Sequence, residues 1–143
     1  MSIQQEIKSQ LAKLLATEDL IVEHKQVETA SFNVETRVLV LPLWEKASSE
    51  VYDMLVAHEV GHALFTPCDD WFERYPEIPP SFVNIVEDAR IEKLMKRKYA
   101  GLPKTFCTGY KELQGRDFCK LCDIDVNKRG IADRINLYCK VGN

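Results

Sequence analysis

The stretch from Ser48 to Pro67 constrains this chain most, because its residues specify a helix and place that helix in a core. Ser48 or Ser49 offers a capping oxygen, Glu50 and Asp53 suit the positive end of a helix dipole, and Thr66-Pro67 stops the run at Phe65. Met54, Leu55, Val56, Ala57, Val60, Ala63 and Leu64 would hold it among apolar neighbours. The rest of the chain therefore has to supply that core.

With 143 residues it has the material to do so as a single domain spanning 1–143. Residues 2 to 16 read as a helix capped by Ser2, with Ile3, Ile7, Leu11, Leu14 and Leu15 at helical spacing. Two strand-like stretches follow, Leu20 to Val27 and Ala30 to Leu41, the second turning near Asn33. Val38 to Leu41 is apolar on both faces, as a covered strand is, and Pro42 ends it. Pro79-Pro80-Ser81 opens a further helix running to about Tyr99, with Lys93, Lys96, Arg97 and Lys98 crowding its negative end. The tail is mixed over 104–130, with a short helix expected from Ile131 to Val141. This order predicts an α+β domain, a small sheet packed on the central helix.

Inside the Ser48–Pro67 helix stands His58-Glu59-Val60-Gly61-His62. Helix positions four apart share a face about 6 Å apart, so both imidazoles can converge on one metal ion. Zinc binds imidazole nitrogen at about 2.0–2.1 Å, and a catalytic site uses three protein ligands and leaves a place for water. Glu59 projects beside the ligands, where a carboxylate can take a proton from that water. His58 and His62 are thus candidate Zn2+ ligands and Glu59 a candidate general base.

A third ligand must come from elsewhere. On the motif helix's own continuation the ligand position holds Cys68, but Phe65 stands where a glycine would make the turn and Pro67 stiffens the loop. Glu87 is the better candidate. If the two helices pair antiparallel, His62 and His58 stand about 5 and 10 Å from the end of theirs and Glu87 about 9 Å into the next. Its ordinary alternative is a solvated carboxylate, like Glu92 with Lys96 one turn on. Asp88 is the rival in the same turn, or else a partner for the free ring N–H of His58 or His62. Asn84 is a further outer partner, and Arg90 could steady an oxyanion or form a surface ion pair. Tyr75, Tyr99, Tyr110 and His24 are other possible oxyanion donors.

Cys119-Lys120-Leu121-Cys122, with Cys107 and Cys139, could hold a structural zinc, though the usual second close pair is missing. Free thiols are the ordinary alternative. A net charge of −3 gives no push toward nucleic acid or anionic membrane, and no apolar run approaches the roughly 20 residues of a bilayer span. The N-terminus lacks a signal-peptide pattern and the five cysteines read as reduced, so a cytoplasmic setting is expected.

With these residues in view, the chain resembles the zinc metallopeptidase domain of tailed-phage and bacterial proteins that is often joined to a von Willebrand factor A domain. The resemblance runs through Ala30–Val34, Arg37–Trp44, Val51–Asp53, His58–Pro67, Asn84–Lys98 and Asp133–Leu137, most of the chain. It implies a zincin-like, gluzincin-type fold with His58, His62 and Glu87 as ligands and Glu59 catalytic. It also implies a cytosolic setting, the host cytoplasm for a phage protein. The chain carries no Asp-x-Ser-x-Ser motif, so the A domain and its partner surface are expected to be absent.

The expected chemistry is zinc-dependent hydrolysis of a protein or peptide substrate, which could lie extended beside a strand at Arg37–Leu41. The alternative is a zinc-stabilised interaction or regulatory module that binds a protein partner without useful proteolysis. A Glu59→Gln change separates the two.

Overall fold

A computed structural model of the protein describes residues 2–44 and 47–121. It is a mixed α+β arrangement: α1 (Ile3–Ala16), β1 (Ile21–Lys25), β2 (Ser31–Asn33), β3 (Val38–Pro42), α2 (Ser49–Phe65), α3 (Trp71–Arg74), α4 (Pro80–Lys98) and α5 (Leu102–Leu121). The helix expected at Ile131–Val141 lies outside the described residues. No described helix is long and apolar enough to cross a membrane.

Local chemistry explains the boundaries. Ser2 and Gln5 form a reciprocal capping box at the start of α1, and Thr17 ends it in a left-handed conformation. Ser48 caps α2 by accepting from the Val51 N–H, and Thr66 follows its last residue. Between β2 and β3, Asn33 Oδ1 accepts from the backbone N–H groups of Glu35 and Thr36, both at 2.9 Å, which makes the turn.

The sheet order is β1-β3-β2, with β1 parallel and β2 antiparallel to the central β3. This corrects the expectation that Arg37–Leu41 offers an edge to an extended substrate, because β3 is paired on both sides. Its apolar character on both faces is that of a central strand, with Leu39 and Leu41 fully buried. The open edges belong to β1 and to the short β2, which packs on α2.

α2 is the hub. It touches α1, α4, α5 and β2, and Val51, Met54, Val56, Ala57, Val60 and Ala63 are buried around its circumference. Burying each of the larger apolar side chains contributes roughly 1.5–3 kcal/mol. Two glycines let neighbouring helices come close. A Cβ at Gly61 would stand 2.7 Å from Ile91 Cδ1 and 3.1 Å from Met95 Cγ of α4. A Cβ at Gly109 of α5 would stand 2.7 Å from Met54 Cβ.

α1 packs Leu11 and Leu15 against the core as expected, but is rotated from the rest of its apolar set. Its apolar Ile3, Ile7 and Leu14 face outward, while Lys8, Ala12 and Ala16 are buried. The small alanines permit close approach, and the Lys8 ammonium is held by Asp53 at 2.5 Å and Ser49 Oγ at 2.9 Å at the start of α2. A buried ammonium is tolerable only with such partners.

Candidate metal centre

α2 presents His58 and His62 one turn apart, their ring centroids 5.0 Å from each other. α4 lies against this face through the gap that Gly61 leaves, and it brings Asp88 to the two rings. Asp88 Oδ1 is 3.6 Å from His58 Nε2 and 3.3 Å from His62 Nε2. Two ligands on a tetrahedral zinc at about 2.0–2.1 Å lie about 3.3–3.4 Å from each other, so the spacing suits one shared ion. Among the described residues these three form a group able to hold a metal.

The other ring nitrogens are committed elsewhere, and their partners assign the tautomers. The Thr66 hydroxyl donates its one proton to Glu87 Oε1 at 2.6 Å, so toward His62 Nδ1, at 2.8 Å, it must accept. His62 therefore carries its proton on Nδ1. His58 Nδ1 is 2.8 Å from Glu92 Oε1, and the Tyr110 hydroxyl donates to that same oxygen. Oε1 already accepts the Tyr110 proton, so toward the ring it accepts as well, and Glu92 is buried with 3% exposure. Both Nε2 lone pairs then face Asp88, the arrangement that a metal ligand pair needs.

Electrostatics reinforce this picture. Burial would push the His58 imidazolium down, but the Glu92 hydrogen bond and the charges of Glu59, Glu92 and Asp88 outweigh it and raise its pKa above the ordinary 6.5. Glu59, 8% exposed, is pushed up by burial, against the charges of His58 and His62 and a backbone hydrogen bond from Phe32. A carboxylate so shifted is better matched to proton transfer near neutrality.

Of the two neighbouring carboxylates weighed for the site, Asp88 stands at the histidine Nε2 atoms and Glu87 turns to other partners. Glu87 bonds Thr66 and accepts a forked pair from Arg90, Nε to Oε2 at 2.8 Å and Nη2 to Oε1 at 2.7 Å. Burial acts to raise its pKa, and these donors more than offset it, so Glu87 stands below the ordinary carboxylate value. Arg90 also donates to the Phe65 carbonyl at 2.6 Å, so its guanidinium ties Glu87 to the end of α2. Arg37 does the same from the turn before β3, binding Glu18 and the Ala63 carbonyl. Both guanidinium groups satisfy carbonyls at a helix C-terminus, where cations are favoured.

Other expected participants lie apart. Asn84 is exposed on α4, and Cys68 is exposed beyond α2. Tyr75 stacks on Trp71, Tyr99 donates to the Leu15 carbonyl, and His24 pairs with Ser9. Cys107 is an exposed free thiol on α5, while the side chains of Cys119, Cys122 and Cys139 lie outside the described residues. A cavity of about 350 Å3 lined by Gln5, Lys8, Gln26, Trp44 and Tyr52 includes no member of the histidine cluster.

Thr66 and Glu92 are the residues that sequence reasoning passed over. Their signal was spacing: His58, His62 and Thr66 recur every four residues, as do Asp88 and Glu92. Each chain of fours lines one helix face. Compared with family models, curated proteins and solved structures, the chain matches none of them.

Proposed function

We propose that this is a zinc-dependent peptidase of zincin-like build, with His58, His62 and Asp88 holding the metal and Glu59 acting as general base. The observation that carries the reading is the inward aim of both Nε2 atoms at zinc-ligand spacing from one Asp88 oxygen. A bound zinc would supply a Lewis acid for the scissile carbonyl and bring the pKa of water from 15.7 toward about 7. Glu59 takes the water's proton and returns it to the departing amine, so the carboxylate is regenerated. The Phe32 backbone beside Glu59 lies on β2, whose outer edge is open. An extended peptide fits there as an added strand, which moves the substrate edge from β3 to β2.

The experiment is zinc titration and peptide cleavage with Glu59→Gln beside the wild type. The variant should bind zinc within about twofold of wild type and lose cleavage by at least about 100-fold, the lower range of general-base effects. A wild-type protein that takes up no zinc would remove the reading altogether.

A further inference from the structure

We infer that Tyr110 is a positioning residue for the metal centre, acting through Glu92 to hold the His58 ring with its Nε2 toward Asp88. The inference rests on the metal reading of the cluster, and it gives α5 a part in a site otherwise built from α2 and α4.

The connection is direct. The Tyr110 hydroxyl donates to Glu92 Oε1, and the same oxygen accepts from His58 Nδ1–H at 2.8 Å. Glu92 sits between a donor on α5 and a donor on α2, so its carboxylate cannot turn without breaking one of them. Tyr110 is itself held: its ring stacks on buried Phe106 with centroids 6.2 Å apart. One residue earlier, Gly109 admits Met54 of α2. Two residues later, Glu112 accepts from the Ser48 hydroxyl that caps α2. Contacts at Phe106, Gly109 and Glu112 thus set the height at which the phenol meets Glu92. Burial, with the nearby Glu92, Asp88 and Glu59 charges, keeps that phenol protonated and therefore a donor.

The bond of the Tyr110 hydroxyl goes to Glu92, which in turn meets the His58 ring. The path from the phenol to the metal ligands runs through Glu92 and His58, and outer partners of a ligating histidine commonly set 10- to 100-fold in metal affinity. Glu112 gives the comparison, since it ties α5 to α2 through the Ser48 hydroxyl at the far end of α2 from the histidines.

The test is zinc affinity by chelator competition on the full chain, for wild type, Tyr110→Phe, Glu92→Gln, the double variant and Glu112→Gln, each first checked for folding by thermal melt. Tyr110→Phe retains the ring that packs on Phe106. It should weaken zinc about tenfold in the wild-type background and less than about twofold when Glu92 is already Gln. Glu112→Gln should stay within about twofold of wild type. With cobalt in place of zinc, the visible bands of Tyr110→Phe should shift and those of Glu112→Gln should not. Equal losses in both backgrounds, a flat response to Tyr110→Phe, or an equal response to Glu112→Gln would overturn the inference and leave the metal site standing. A wild type that binds no zinc would overturn both.

Discussion

Glu87 and Asp88 differ by one position and 1.5 Å of rise, yet one grips Arg90 and Thr66 while the other faces the histidines. Height along a helix brought α4's acidic turn to the right level from sequence. Rotation decided between the two, because adjacent residues point about 100° apart, and that angle is set by how α4 seats on Gly61. The roles can be separated by affinity. Asp88→Ala should cost zinc at least about 100-fold, whereas Glu87→Ala, which reaches His62 only through Thr66, should cost about tenfold. Isothermal titration of both variants decides it, and the reverse ranking would restore Glu87 as the ligand. His58 adds a pH signature. Its folded pKa lies above 6.5, so without metal its contribution to stability is full below about pH 6.5 and is lost as pH rises through the folded value. Zinc requires the neutral ring, so the stabilisation that zinc gives should run the other way and grow over the same interval. Melting temperatures at about pH 6 and about pH 8, with and without zinc, should therefore show opposite slopes, and His58→Gln should flatten the metal-free one. Parallel slopes would mean that zinc does not compete with the His58 proton.

At the scale of elements, the central helix was legible nearly to the residue. Its cap at Ser48, its end at Phe65 and its load of apolar side chains are local properties, and the turn at Asn33 is likewise local chemistry. The sheet order was not legible, because which neighbours β3 takes depends on where β1 crosses, and no short-range signal records that. α1 misled for a related reason. Leu11 and Leu15 pack against the core as their spacing predicts, but Ile3, Ile7 and Leu14 face out, and the buried positions are Lys8, bound to Asp53, and the small Ala12 and Ala16. Close approach also explains the glycine inside the motif. In a helix interior, glycine costs up to about 1 kcal/mol relative to alanine. Gly61→Ala would recover that but meet Ile91 and Met95, both fully buried, and overpacking of this kind costs about 1–3 kcal/mol. The expected result is a protein with a lower melting temperature and weaker zinc binding, since any outward shift of α4 carries Asp88 away from the histidines. Unchanged zinc affinity would show that α4 tolerates the methyl without moving.

For the molecule as a whole, the question is whether zinc builds the domain or occupies it. A structural zinc is needed for folding, and small domains that depend on one are unfolded without it. Here the core does not run through the cluster. Leu39 and Leu41 of the sheet, Val56 and Val60 of α2, Met95 of α4 and Phe106 of α5 are buried with exposures near zero, independently of any ion. Protein groups hold both histidine rings, Glu92 and Tyr110 on one side and Thr66 and Glu87 on the other. A scaffold prepared in this way should survive chelation. At free zinc about 100 times the dissociation constant, binding adds about 2.7 kcal/mol, which for a chain of this size is about 10 °C in melting temperature. The expected outcome is therefore a chelated protein that keeps its circular-dichroism spectrum at room temperature and melts about 10 °C earlier than the zinc form. Loss of structure on chelation would turn the interpretation toward a metal-built interaction module. In that case Glu59, buried beside the cluster at a cost in desolvation, would have no chemical task to explain it.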